Sequence, residues 1–392
     1  MDFVLWAVIS VGHLGIWCVI FNRVHATSFP RHVRKRAEKV IILGVVSGFA
    51  WFLGMVISNA TTSVATIVNG FQLDRVYLTA SFLVGVFFIL RWVYRKFIVR
   101  PPEAIVSHST EIIDVRKFNE DPIYVGTLAN ALRLIPGNQS HLIAIERITF
   151  ALARLPKELE GLKVCHLSDF HLTGLIDIGY YKKIVQEVNQ FDADIVLITG
   201  DLIDEFHCLE WIDPIFGALK AKHGVMYVLG NHDLRIKDEP LLRKELSRSG
   251  LIEVNGKWII REINGVEVAL AGNELPWFRG AENLKDYVTP DETGASMPLK
   301  ILLSHSPDQF KWAHRFGFDL MLAGHTHGGQ VQFPVIGPIV APSAHGIKYA
   351  SGTFMMDKML MHVSRGIAGD ECIRVNCPPE VGFFTLTRAS KD

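Results

Sequence analysis

The chain is short of charge. Only 20% of its 392 residues are Asp, Glu, Lys or Arg, the formal net charge is zero and the mean hydropathy is +0.24. That composition excludes a disordered chain, since disorder follows from low hydrophobicity combined with high net charge. Cysteine is scarce too. Cys18, Cys165, Cys208, Cys372 and Cys377 show no close pairing, which excludes a small disulfide-stapled scaffold, and Cys372 to Cys377 is not a zinc spacing. The sequence has no internal repeat and no low-complexity tract.

What charge there is divides unevenly. Residues 1–100 hold 11 Lys/Arg against 3 Asp/Glu, leaving 29 against 37 for the rest. An acidic remainder argues against nucleic acid as a partner, because phosphate backbones are bound through Lys and Arg. No obligate protein partner is evident. Phe3 to Phe21 is 19 residues without a charge, enough to cross a core of roughly 30 Å at about 1.5 Å per helical residue. It lacks the basic start and small-residue cleavage site of a signal peptide, so a retained spanning helix is expected. A second span is expected at about Val40–Ser58, with Asn59–Gln72 as a loop. Val76–Leu90 is a third, its flanking Arg91, Arg95 and Lys96 snorkelling to the interface and Trp92 and Tyr94 lying among headgroups. His13, inside the first span, is read as helix packing or a local hydrogen bond.

Arg23, Arg31, Arg34, Lys35, Arg36 and Lys39 crowd the first loop, which the positive-inside rule places in the cytoplasm. With three spans, everything after Arg100 is cytoplasmic as well. Residues 1–100 are thus a membrane domain. Residues 101–144, broken at Pro101-Pro102, Pro122 and Pro136-Gly137, read as a connector, and Asn138-Gln139-Ser140 as a chance match to a glycosylation acceptor.

From Leu162 onward a short β-type run leads at once into a polar cluster, five times over. Leu162–Leu167 precedes Asp169 and His171, Ile195–Thr199 precedes Gly200-Asp201, and Val225–Leu229 precedes Gly230-Asn231-His232-Asp233. Ile301–Leu303 precedes His305, and Leu320–Ala323 precedes Gly324-His325-Thr326-His327-Gly328-Gly329-Gln330. Tyr180–Asn189 and Leu209–Leu219 have helical spacing, so the first three runs read β-α-β-α-β. Ligands in such folds collect beyond the carboxyl ends of the strands. Each motif alone is an ordinary turn; together and in order they bring two Asp, one Asn and four His to one place. That donor set suits two divalent ions sharing a carboxylate. Period-two geometry puts Asp169 and His171 on one side of an extended turn, and His325 and His327 likewise. Two divalent ions with two ionised Asp and neutral His and Asn leave a positive site that attracts a phosphate ester.

These motifs closely resemble the signature of the calcineurin-like metallophosphoesterases: Asp-x-His, Gly-Asp, Gly-Asn-His-[Asp/Glu], a lone His and Gly-His-x-His. The resemblance spans about Ile145 to Leu386 and sets the domain at 145–392. It implies an α/β sandwich of two β-sheets flanked by helices, here preceded by the transmembrane segment. By position it implies that Asp169, His171 and His327 hold one ion, that Asn231, His305 and His325 hold the other, and that Asp201 bridges. It implies Mn, or else Fe or Zn, as the two divalent metals, and water or hydroxide as nucleophile. His232 would act on the leaving oxygen, with Asp233 orienting its imidazole.

The amino-terminal helices, the Gly-His-Thr-His-Gly-Gly-Gln loop and the tail from Val363-Ser364-Arg365-Gly366 to Cys377-Pro378-Pro379-Glu380 are similar to the bacterial membrane-anchored subgroup. That subgroup is linked with lipid phosphates, including the UDP-2,3-diacylglucosamine pyrophosphatases. Three helices and a connector of about 40 residues depart from it. The expectation is a multi-pass protein of the inner (cytoplasmic) membrane whose catalytic domain faces the cytoplasm. Its partners would be the lipid bilayer and a phosphorylated lipid or nucleotide-lipid substrate. A phosphodiesterase for soluble or cyclic nucleotides, and a non-catalytic scaffold with structural metals, are the alternatives. Arg365 and His345 are candidate substrate-binding residues, His166 faces away from Asp169, and Pro276-Trp277-Phe278-Arg279 is an aromatic loop read as packed on the core.

Overall fold

The computed structural model describes residues 2–58, 72–118, 123–286 and 298–389. Two compact units are present, Met1–Arg100 with Pro342–Gly346, and Pro101–Ala341 with Ile347–Asp392.

Among the described residues, the first unit holds the helices α1 (Asp2–His25), α2 (Arg31–Ser58) and α3 (Gln72–Phe97). Each contains a stretch long and apolar enough to cross a membrane: Phe3–His25, His32–Met55 and Arg75–Phe97. α2 starts earlier than its apolar run because Arg, Lys, Ala and Glu are good helix formers. Glu38 also lies 3.0 Å from Lys35 and 3.2 Å from His25. The loop expected over Asn59–Gln72 falls, apart from Gln72, outside the described residues. α1 meets α3 at Gly12, where an added Cβ would stand 1.6 Å from the Ser81 carbonyl oxygen; only glycine permits that approach. His13 is buried beside it, its Nδ1 2.6 Å from Tyr77 Oη and its Nε2 3.1 Å from the Val45 carbonyl oxygen, and so ties the three helices together.

The second unit opens on strand β1 (Ile105–Asp114), helix α4 (Gly126–Leu132) and strand β2 (Leu142–Leu152). The stretch 101–144, read from sequence as a connector, therefore supplies an edge strand, with β1 antiparallel to β2. Its alternation was hidden because β1 is exposed along most of its length and needs few apolar residues. Pro122 lies outside the described residues. Asn138 is buried, its Nδ2 donating to the carbonyls of Cys372 (2.7 Å) and Leu132 (3.0 Å), which agrees with a chance glycosylation match.

Next come β3 (Lys163–Leu167), α5 (Ile178–Phe191), β4 (Ile195–Thr199), β5 (Val225–Val228), α6 (Glu239–Arg248) and β6 (Ile252–Glu253). β7 (Ile259–Ile263), β8 (Val266–Asn273), β9 (Leu299–Ser304), α7 (Phe310–Arg315) and β10 (Leu320–Ala323) follow. The short β11 (Gln332–Phe333) and β12 (Gly337–Pro338) pair with each other, and β13 (Gly352–Met356), β14 (Met359–Val363) and β15 (Glu380–Arg388) complete the unit. One sheet runs β1-β2-β15-β3-β4-β5-β6 and the other β13-β14-β10-β9-β8-β7. Two sheets flanked by helices is the architecture the resemblance implies.

Period-two alternation builds the layers. In β4, Ile195 and Leu197 enter the core between the sheets with Val164, Val228, Leu270, Ile301 and Leu322, whereas Val196 and Ile198 face α5 and α6. Fully burying such a side chain contributes about 1.5–3 kcal/mol. α5 docks through Tyr180, Tyr181, Ile184, Val185 and Val188, and starts at Asp177, whose carboxylate accepts the Gly179 N–H at 2.7 Å. The expected helix over Leu209–Leu219 is instead a 3-10 turn, Phe206–Trp211, followed by a π turn, Asp213–Gly217. Pro214 explains this, since it lacks an N–H and clashes with the preceding turn. β3, β4 and β5 are mutually parallel, as are β9 and β10, so the loops leaving them gather at carboxyl ends.

Candidate metal centre

Asp169 and His171 follow β3, Asp201 follows β4, Asn231 and His232 follow β5, His305 follows β9, and His325 and His327 follow β10. All seven proposed ligands are buried. Asp169, His171, Asp201 and His327 form one group whose candidate ligand atoms all lie within 4.8 Å of one another, and Asp201, His305 and His325 form a second; Asp201 belongs to both. Asn231 joins the second group through Oδ1, 3.1 Å from His305 Nε2.

The backbone that achieves this differs from the extended turn expected. Asp169, His171, Asp201, His325 and His327 all have positive φ, from 46° to 71°. Non-glycine residues enter that left-handed region reluctantly, at a cost of order 1–3 kcal/mol each where strained, and five in one place mark a functional site. Left-handed turns at the strand ends, rather than period-two alternation, bring the side chains inward. Glycine provides the clearance: a Cβ on Gly324 would lie 1.8 Å from Ser168 Oγ and 2.3 Å from Asp169 Oδ2.

Hydrogen bonds orient the donors. His305 Nδ1 lies 2.7 Å from the Thr199 carbonyl oxygen and His171 Nδ1 2.8 Å from Asp204 Oδ2. Both partners only accept, so each ring carries a proton on Nδ1 and turns Nε2 inward. Asp201 Oδ1 accepts the His232 N–H at 2.7 Å, leaving Oδ2 toward His305 (3.2 Å) and His171 (3.5 Å). Asp169 accepts the His325 N–H at 3.1 Å and the Ser168 hydroxyl at 2.5 Å.

Burial and charge pull the acids and bases apart. Burial works to raise the Asp169 and Asp201 carboxyls, but the charges of His327 on the first and His305 on the second hold them below the usual carboxylate range. Burial lowers His171 and His305, yet Asp204 and Asp201 respectively overcome it and raise both to about 9. Burial pushes His327 down to about 4 and His325 well below its ordinary value.

The residues fit divalent cations. His171 Nε2 and His327 Nε2 face each other at 3.0 Å, a separation that requires a shared proton or a cation, and His325 Nε2 is buried with no hydrogen-bond partner.

One sequence assignment needs correction. Asp233 does not orient His232. Its Oδ1 accepts the N–H groups of Leu202 (2.9 Å) and Ile203 (3.0 Å), and its Oδ2 that of Gly230 (2.7 Å), so it braces the loops. The carboxylate on His232 is Asp204, with Oδ1 2.5 Å from Nδ1. The signal for it was its place three residues after Asp201, on the loop that carries the shared carboxylate. Arg365 is drawn into an ion-pair cluster, its guanidinium held by Glu146 (2.5 Å), Glu380 (3.3 Å) and the Pro378 carbonyl oxygen (3.0 Å). His345 lies in the Pro342–Gly346 segment of the first unit, its N–H 3.0 Å from Ser343 Oγ.

The remaining candidates fall where their surroundings dictate. His166 sits in β3 against Thr199 Oγ1 (2.9 Å) and stays buried away from the ligands. Phe278 is buried in the core, while the Trp277 ring lies 4.7 Å from that of His325 and 5.3 Å from that of His305. Sequence reasoning also missed Arg374, fully buried, which donates to the carbonyls of His327 (3.1 Å), Arg365 (2.6 Å) and Ala368 and so pins the loop bearing His327.

Comparison with known proteins gives the same frame. Residues 162–329 match the family model described as calcineurin-like phosphoesterase. The uncharacterized metallophosphoesterase YkuE of Bacillus subtilis (strain 168) is 27% identical over 260 residues, covering 63% of this chain and 87% of that protein. Phosphodiesterase YaeI of Escherichia coli (strain K12) is 25% identical over 245 residues, covering 62% and 88%. UDP-2,3-diacylglucosamine pyrophosphatase LpxG of Chlamydia trachomatis serovar D is 22% identical over 293 residues, covering 62% and 89%.

Proposed function

Because the chain carries a calcineurin-like metallophosphoesterase domain and is thereby a metal-dependent hydrolase, we propose that it cleaves a phosphodiester or pyrophosphate bond in a lipid-linked substrate. The observation that carries this reading is the shared Asp201, a buried carboxylate common to two groups of ligand atoms. Asp169, His171 and His327 would hold one divalent ion and Asn231, His305 and His325 the other, with Mn as the expected metal. When bound, the ions supply Lewis-acid polarisation of the phosphoryl group and activation of the attacking water.

The protein's own part is positioning and proton handling. Asp204 fixes His232 through Nδ1, so Nε2 is the nitrogen presented to substrate, and it protonates or hydrogen-bonds the departing oxygen. The buried walls exclude water and strengthen these interactions. Three apolar helices on the same chain favour a substrate that resides in a bilayer, and the printed activity of the Chlamydia relative points the same way. The basic segment between the first two helices favours a cytoplasmic catalytic unit at the inner membrane.

The test is purified full-length protein with Mn²⁺, assayed on UDP-2,3-diacylglucosamine and on bis(p-nitrophenyl) phosphate. His232→Ala should keep the metal and lose turnover, whereas Asp201→Ala should lose both. Metal-loaded wild-type protein inactive on both substrates would refute the proposal.

A further inference from the structure

Beside Nε2 of His232 stands a cation to which none of the signature motifs assigns a task. Arg235 lies three residues on, in the single turn Asp233–Ile236. Its Nη1 donates to Asp204 Oδ1 at 2.6 Å and to Asp370 Oδ1 at 2.6 Å, and its Nη2 donates to Asp370 Oδ2 at 3.0 Å. Those contacts use both hydrogens of Nη1 and one of Nη2. The remaining Nη2 hydrogen is on the side of His232 Nε2, 3.5 Å away, too far for a strong bond between the two nitrogens. A substrate oxygen that displaced this long contact would accept from Nη2 and, with His232 protonated, from Nε2.

The anchoring of Arg235 makes the position definite. Asp204 is fully buried and also binds His171 and His232, so the guanidinium is tied to the same carboxylate that sets the imidazole. Asp370, on the segment before β15, clamps it from the other side. One fifth of the Arg235 side chain is exposed, as the rim of an open site requires.

We infer that Arg235 is a specificity-determining residue that reads the leaving group, favouring a leaving group that is itself a phosphoryl anion over an uncharged alcohol or phenol. This rests on the proposed hydrolase reading and narrows it to diphosphates. In that reaction, water supplies the oxygen that bonds to the attacked phosphorus, its proton passing to solvent. The bridging oxygen leaves with the electron pair of its bond on the second phosphoryl group. His232 Nε2 meets that bridging oxygen, and Arg235 meets an anionic oxygen one atom further out. A fixed guanidinium suits a phosphoryl group because its planar fork matches the oxygen spacing.

The experiment compares full-length wild type, Arg235→Ala and Arg235→Lys, loaded with Mn²⁺, on UDP-2,3-diacylglucosamine and on bis(p-nitrophenyl) phosphate. The ratio of kcat/KM for the diphosphate to that for the diester should fall about tenfold or more in Arg235→Ala, chiefly through KM, with partial recovery in Arg235→Lys. Equal losses on both substrates would mark a structural role and overturn the inference. Binding supplies a second readout: UMP and a short-chain phosphatidic acid, titrated calorimetrically into metal-loaded protein, distinguish a nucleotide from a lipid phosphate on the leaving side. At least one should bind wild type and weaken about tenfold in Arg235→Ala. Unchanged affinity for both, or no binding of either to wild type, overturns it. Wild type that binds these anions but hydrolyses neither substrate refutes the hydrolase reading while the binding comparison still decides Arg235.

Discussion

Asp204 and His232, 28 positions apart, meet at 2.5 Å between Oδ1 and Nδ1, and the other oxygen of Asp204 holds His171 at 2.8 Å. One buried carboxylate thus sets both a proposed ligand and the proposed acid. Burial tends to raise its carboxyl, but the charges of His171 and His232 hold it far below the usual range. Asp204→Asn keeps the volume and removes the charge. Turnover should fall roughly 10–100-fold, with weakened metal affinity, because partners of ligating histidines typically carry that much. Metal content by elemental analysis and turnover on a diester check it; wild-type values for both would refute the role.

Asp233 should behave differently. It binds three backbone N–H groups of the loops and no imidazole. Asp233→Ala leaves those buried donors unsatisfied, at about 1–3 kcal/mol each. The Tm should drop in metal-free protein, where a purely catalytic residue would have no effect.

Gly324 is the tightest point of the centre, with Ser168 Oγ and Asp169 Oδ2 occupying the space of a Cβ. Gly324→Ala should displace Asp169 and lower the metal bound per chain while the far-ultraviolet circular dichroism is retained. Full metal occupancy in that variant would show that the loop yields without moving the ligand.

Trp277 lies against both His305 and His325. Paramagnetic Mn²⁺ bound there should quench its fluorescence, and the quenching should disappear in Trp277→Phe. Equal quenching in both proteins would place the ion elsewhere.

Glu380 offers a test away from the ligands. Burial would raise its carboxyl, but the Arg365 charge and the His362 hydrogen bond hold it at about 2, below its ordinary 4.5. A carboxyl lowered on folding stabilises the native state fully above its unfolded value and loses that contribution as pH falls through the folded one. Stability should therefore decline between pH 4.5 and about 2, and Glu380→Gln should flatten that limb in urea melts. An unaltered slope would assign the acid sensitivity to other groups.

The sequence by itself determined the strand-then-ligand rhythm, the seven candidate donors and the three apolar helices. Each of these is local, written in apolar runs and in residue types that follow them directly. Tertiary structure decided the rest. The partner of His232 is Asp204 rather than its neighbour Asp233, because the right-handed 3-10 turn that begins there sends adjacent side chains in different directions and a carboxylate from another strand end fills the gap. Arg365, cationic and well placed in the chain, pairs with Glu146 and Glu380, which only the pairing of β2 with β15 brings to it. β1 escaped notice because an edge strand takes its hydrogen bonds from a neighbour and not from its own pattern. Donor chemistry belongs to single residues, whereas which donor meets which acceptor depends on contacts between segments that are distant in sequence.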